Sequence, residues 1–233
     1  MSVQIDTRVT PSLHPANVAN LPGYSDATKG YVEGAERALH EAYTGVAAVF
    51  DAKEAVRRDL SLTDAGRTMK VDELGQHVFK KVAALFDTQM ANLSKGIAQI
   101  EEKLNAPVNA RAAHPIAAEI RAYVRAMPES DRPGFVFNAI TRGDLVTAEA
   151  ALAGPSYLCG LTPEGHAALL RKYHEQAAPE EAAKLAVMQG ALKLLGNRGG
   201  MMFTALEEAV GAHPDAVRRM REAKARADMA LAV

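Results

Sequence analysis

The chain has no tryptophan, one cysteine and only 5% aromatic residues among 233. A single cysteine, Cys159, excludes an internal disulfide and a cysteine-based zinc cluster. In Tyr157-Leu158-Cys159 it reads as a small buried hydrophobe rather than a nucleophile. The net charge of −1 gives the chain as a whole no electrostatic claim on nucleic acid or a membrane surface. No apolar run approaches the roughly 20 residues that span a bilayer. The opening Met1-Ser2-Val3-Gln4-Ile5-Asp6 lacks the basic and apolar regions of a secretion signal, so a cytosolic origin is expected. What is abundant is alanine with leucine and valine, within a hydrophobic share of 48%. Strong helix formers with few aromatics favour closely packed helices over sheets, and no run alternates over the length of a strand except a short possibility at Val3, Ile5 and Val9. The expected fold class is all-α.

The periodicity predicts a long antiparallel helical hairpin over residues 26–105. Its first arm, Asp26–Leu60, repeats small and apolar residues at helical spacing through Tyr31, Ala35, Ala38, Ala42, Gly45, Val49, Ala52 and Val56. Ser25 is the expected cap of this arm. The second arm, Val71–Asn105, does the same through Leu74, Val78, Val82, Leu85, Phe86, Leu93, Ile97, Ile100 and Leu104, ending in a coiled-coil step. Each arm would run roughly 50 Å. The connection Ser61–Thr68 carries cap residues and Gly66, with the second helix starting near Thr63 or Asp72. Ala35, Ala42, Val49, Val82, Leu93, Ile97 and Ile100 are the residues expected to pack the hairpin.

Residues 1–25, with Pro11, Pro15 and Pro22, read as an extended N-terminal arm that is either a free tail or a fastener on a neighbouring subunit. Asn105-Ala-Pro107-Val-Asn-Ala marks the expected boundary to a C-terminal helical domain, 106–233. There the helices shorten. His114-Pro115 opens one through Ala126, and Ser130 caps another through Thr141. A third covers Leu145–Leu152, Thr162-Pro163 opens a fourth, and Pro179 a fifth that Asn197-Arg-Gly-Gly should interrupt. His213-Pro214 opens the last.

No catalytic, cofactor or metal motif is expected. His14, His114 and His213 precede prolines at helix starts, while His40, His77, His166 and His174 lie along predicted helices, outside any ligand spacing. Tyr173-His174-Glu175 could supply an acid or base but has no nucleophile or cofactor cradle beside it. Gly196-Asn-Arg-Gly-Gly lacks the Lys-Ser/Thr of a phosphate loop. The densest basic stretch, Arg218, Arg219, Arg221, Lys224 and Arg226, is diluted by Asp215, Glu222 and Asp228. It reads first as a solvated amphipathic face and second as a contact for an acidic partner or nucleic acid, which salt would weaken.

Three segments, Ile120-Arg-Ala-Tyr-Val-Arg-Ala-Met-Pro128, Ala139-Ile-Thr-Arg-Gly-Asp144 and Leu152-Ala-Gly-Pro-Ser-Tyr-Leu-Cys-Gly-Leu-Thr162, resemble a type of small helical protein of tailed-bacteriophage genomes. Many such proteins accompany head and portal genes. The resemblance implies a virion role in the head, the portal or the ejected contents, with other copies and other virion proteins as partners and assembly in the host cytoplasm. The alternative is a cytosolic helical adaptor or regulator without catalysis. An enzyme is the third reading, and it would need convergent polar groups that the sequence does not show.

Overall fold

The computed structural model describes residues 5–232, so Val3 of the expected extended segment lies outside them. The chain is all-α, with no strand among the described residues. Its contacts divide it into two units, 1–94 with 189–233 and 95–188. This division differs from the expected boundaries after 25 and 105.

In the first unit, helix α1 spans Glu33–Arg57. Glu33 and Glu36 in its first turn and Arg57 in its last match the helix dipole. Its inward face is Ala35, Ala38, Leu39, Ala42, Tyr43, Val46 and Val49, all buried. The helix therefore starts later than Asp26. Residues 25–28 are instead tied into a turn, where Thr28 Oγ1 donates to Gly23 O at 2.6 Å and accepts from Ser25 N at 2.8 Å.

Helix α2, Asp64–Ala112, follows a break in which Ser61 N and Oγ both donate to Asp59 Oδ1. Thr63 Oγ1 accepts from Gly66 N at 3.1 Å, so Thr63 rather than Asp72 marks the start. Within this unit α1 and α2 meet at Gly34 with Gln89, Glu41 with Lys81, and Gly45 with Val78. One number rises as the other falls, which is the register of an antiparallel pair.

The described residues before α1 do not form one extended segment. Short 3-10 helices at Pro11–Leu13 and Pro15–Asn20 pack on α1 and bury Leu13, Pro15 and Val18. Proline at the start of each fixes φ for the turn, and Thr10 Oγ1 and His14 Nδ1 accept from Ser12 N and Ala16 N as caps. Tyr43 holds the preceding strand of chain from both sides, accepting from Asp6 N at 2.7 Å and donating to Asp6 O at 3.1 Å. Of the arm read as either a free tail or a fastener on a neighbour, the described part from Asp6 to Asn20 lies on its own helix α1.

The 189–210 part of helix α7 (Pro179–Val210) and helix α8 (Pro214–Leu231) complete this unit. Two sequence expectations fail along the long helices. α7 runs through Gly196–Gly200 without interruption, because buried Leu195, Met202, Ala205 and Leu206 flank the glycines and packing outweighs their poor propensity. α2 likewise passes the expected boundary at Asn105 and contains Pro107. Leu104 and Val108 are buried on either side, which offsets a proline penalty of roughly 3 kcal/mol.

The second unit takes 95–112 of α2, 179–188 of α7 and four helices between them: α3 (Pro115–Ala126), α4 (Arg132–Thr141), α5 (Leu145–Leu152) and α6 (Pro163–Ala177). α5 is its centre, packed by α3, α4 and α6. Ala148, Ala150 and Ala151 are all buried, and their small side chains let three helices approach. Asp144 caps α5 by accepting from Thr147 N, and Thr162 caps α6 by accepting from Gly165 N. The start of α4 departs from expectation: the cap position is Asp131, and Ser130 only donates to its carboxylate.

Candidate functional site

Most large apolar side chains of the first unit face inward, so the exceptions mark its surface. Phe79 of α2 and Phe203 of α7 are 37% and 46% exposed, with ring centroids 5.9 Å apart and edge-to-face at 77°. They stand at a groove of about 280 Å³. One wall is a helical row of α2, from Asp72 through Gly75, Gln76 and Phe79 to Lys80. The other is Phe203, Leu206, Glu207 and Val210 of α7, closed by Ala212 and Pro214 at the turn into α8. Gly75 sets the depth, since a Cβ there would lie 3.2 Å from Val210 Cγ2.

The polar rim is partly committed. Asp72 Oδ2 accepts from Arg221 Nη2 at 2.6 Å and from Gln76 Nε2 at 2.9 Å. Lys80 on one wall and Glu207 on the other have no ion-pair partner among the described residues. An apolar floor with one unpaired charge of each sign can receive an amphipathic side-chain set. Small-molecule pockets typically occupy ~300–1,000 Å³, so this groove falls just below that range.

The second unit holds a buried polar cluster. Glu149, 7% exposed, accepts from Tyr173 Oη at 2.8 Å through Oε1 and from Arg111 Nε at 3.1 Å through Oε2. Burial first, and the Glu149 bond second, push the Tyr173 hydroxyl well above its ordinary pKa. Beside it, His174 is also buried. Its Nε2 has no hydrogen-bond partner among the described residues. Desolvation lowers its pKa. Glu175 is exposed and pairs loosely with Lys172 at 3.6 Å, so Tyr173-His174-Glu175 does not converge on one point. With both carboxylate oxygens occupied, Glu149 works as an internal tie between α2, α5 and α6.

Cys159 is buried, donates to Ala151 O at 2.7 Å and has its pKa pushed up to about 11 by burial, which keeps it a thiol. Arg132 donates to Arg125 O, Met127 O and Gly160 O, closing the end of α3 onto the loop before α6. Gly160 has φ +65°, and a Cβ there would meet the same guanidinium at 2.5 Å.

Of the residues expected to pack the hairpin, Ala35, Ala42, Val49, Val82 and Leu93 are buried in the first unit. Ile97, buried, and Ile100, half-buried, belong to the second. In the basic stretch Arg218 pairs with Asp215 and Glu222, Arg221 with Asp72, and Lys224 with Asp228. Arg219 and Arg226 are exposed. Residues 120–128, 139–144 and 152–162 form the second half of α3, the α4–α5 turn and the loop into α6. Val124, Ala139, Ile140, Leu152, Cys159 and Leu161 from them all enter the core of the second unit. Among the described residues no three of His, Cys, Asp and Glu gather as a metal group, and no helix is long and apolar enough to cross a membrane.

Periodicity did not single out Phe79 or Phe203. Their only signal is an aromatic residue set beside, rather than on, an apolar row, as Phe79 follows Val78. No family model, curated protein or solved structure matches the chain.

Proposed function

We propose that the chain is a structural or assembly protein of a tailed-bacteriophage particle, associated with the head, the portal or the ejected contents. It acts by helix packing and subunit contacts, without a catalytic step, and is assembled into the virion in the host cytoplasm. The observation that carries the contact role is the exposed Phe79–Phe203 pair over an apolar groove with unpaired Lys80 and Glu207. A solvent-facing aromatic pair standing over an apolar groove suits a protein interface, where large rigid side chains contribute most binding energy. The particle setting is supported by the segments from Ile120 to Thr162 that resemble phage proteins.

The same groove would serve a cytosolic adaptor, and one experiment separates the two. Particles purified from a host carrying the gene are assayed by quantitative mass spectrometry. Under this proposal the chain is present at a fixed ratio to the major particle protein, and Phe203→Asp reduces that ratio without lowering expression. A chain found only in the soluble fraction overturns the particle reading and favours the adaptor.

A further inference from the structure

We infer that the groove receives the last turns of α8 from a second copy of this chain, so that two copies exchange these ends reciprocally. This rests on reading the groove as a contact surface. α8 begins as a packed helix and ends as an unpacked one. Val217 is buried and Met220 half-buried, whereas every residue from Glu222 to Leu231 is exposed. Its apolar face nevertheless continues past the packed part: Met220, Ala223, Ala227 and Ala230–Leu231 recur at steps of three and four residues, one face of a helix. Leu231 is 80% exposed. A stripe that continues beyond its own core needs another surface to bury it.

The groove fits that stripe in shape and charge. Alanines at 223, 227 and 230 let the helix backbone lie close over the groove, whose walls meet at the Phe79–Phe203 contact, and Leu231 supplies one large side chain for that end. The stripe is flanked by Arg226 on one side and Asp228 on the other, as their helical spacing dictates. Those are the partners that Glu207 and Lys80 lack. Arg226 has no ion-pair partner among the described residues, and Asp228 holds only an exposed pair with Lys224. An exposed pair of this kind is exchanged at little cost.

The occupant cannot be the chain's own α8. Pro214 lines the groove and starts the helix, which carries Leu231 away by about 25 Å at roughly 1.5 Å per residue. A second copy meets no such restriction. Because groove and stripe belong to one chain, two copies satisfy each other around a two-fold axis, the commonest closed arrangement.

The test is the mass of the purified full chain by light scattering along a dilution series, with circular dichroism as the folding control. The expected result is a dimer that dissociates on dilution. Leu231→Asp, at a position too exposed to matter for folding, should give a monomer at the same concentrations, as should Phe203→Asp. Lys80→Glu and Asp228→Lys should each raise the dimer Kd by about tenfold, and the double variant should restore it. A wild-type chain that is monomeric throughout overturns the inference, as does a dimer indifferent to Leu231→Asp or a charge swap that fails to rescue. None of these outcomes touches the particle assay. A monomeric chain that still enters particles through Phe203 would leave the proposed function standing and remove only this occupant.

Discussion

Tyr173 donates its hydroxyl to Glu149 Oε1 at 2.8 Å, joining α6 to the buried centre of the second unit. Arg111 completes the carboxylate from α2 at 3.1 Å. Glu149 is the only charged residue in Leu145–Leu152, and a lone buried carboxylate in an apolar helix persists only when its lone pairs are occupied. Tyr173→Phe removes one bond and leaves Oε1 short of a donor, at a cost of about 1–3 kcal/mol. Glu149→Ala strips both partners and should cost more than Tyr173→Phe, because the buried Tyr173 hydroxyl loses its acceptor and Arg111 its ion pair as well. Urea unfolding of the two variants checks the order. Equal stability for Glu149→Ala and wild type would mean the cluster is not a tie.

Gly45 faces Val78 across the α1–α2 contact, and a Cβ added there would come within 2.6 Å of Val78 Cγ1. Val78 is β-branched and cannot swing aside cheaply. Gly45→Ala should therefore destabilise the fold by about 1–3 kcal/mol despite the better helix propensity of alanine. Restoring space with Gly45→Ala/Val78→Ala should recover part of the contact loss, which a double-mutant cycle measures. Additive losses would show that the two residues do not touch.

Much of the helical content was legible because its signals are local. Pro115, Pro163, Pro179 and Pro214 each open a helix where expected, and Thr162 and His213 cap two of those starts through their side chains. The errors share one cause. Pro107, Gly196, Gly199 and Gly200 read as breaks because local propensity opposes a helix, and tertiary packing of Leu104, Val108, Leu195 and Met202 overrides it. The segment 5–25 failed in the opposite sense: its prolines suggested extension, but Leu13 and Val18 found burial on α1. The groove and the Glu149 cluster were illegible because each joins residues far apart in the chain. Glu149 meets Arg111 across 38 positions, and Asp72 meets Arg221 across 149.

Gly199 and Gly200 sit inside α7 with nothing within 4 Å of a Cβ built on either. Neither has a positive φ. Alanine there fits the helix without contact and restricts the unfolded chain, so each substitution should stabilise the protein by about 0.5–1 kcal/mol. Thermal unfolding of Gly199→Ala and Gly200→Ala, singly and together, should show rising Tm. A fall would mean that the glycines keep space for something that lies over this face, and that mass or binding measurements on the same variants should then change.

His174 makes the stability of the second unit depend on pH in a stated direction. Burial lowers its folded pKa below the ordinary value near 6.5, so the unfolded chain binds the proton more readily. Its contribution is fully present above about pH 6.5 and is lost as pH falls from there through the lowered folded value. Below both values the loss is complete and the slope from this group vanishes. His174→Phe keeps an aromatic ring but no titration. It should show a shallower decline between neutral pH and pH 5 than the wild-type chain. Melting temperatures of both chains across that range give the comparison. Parallel declines would assign the acid sensitivity to the carboxylates, of which Glu181 and Glu41 are held below their ordinary range by hydrogen bonds from Lys103 and Lys81.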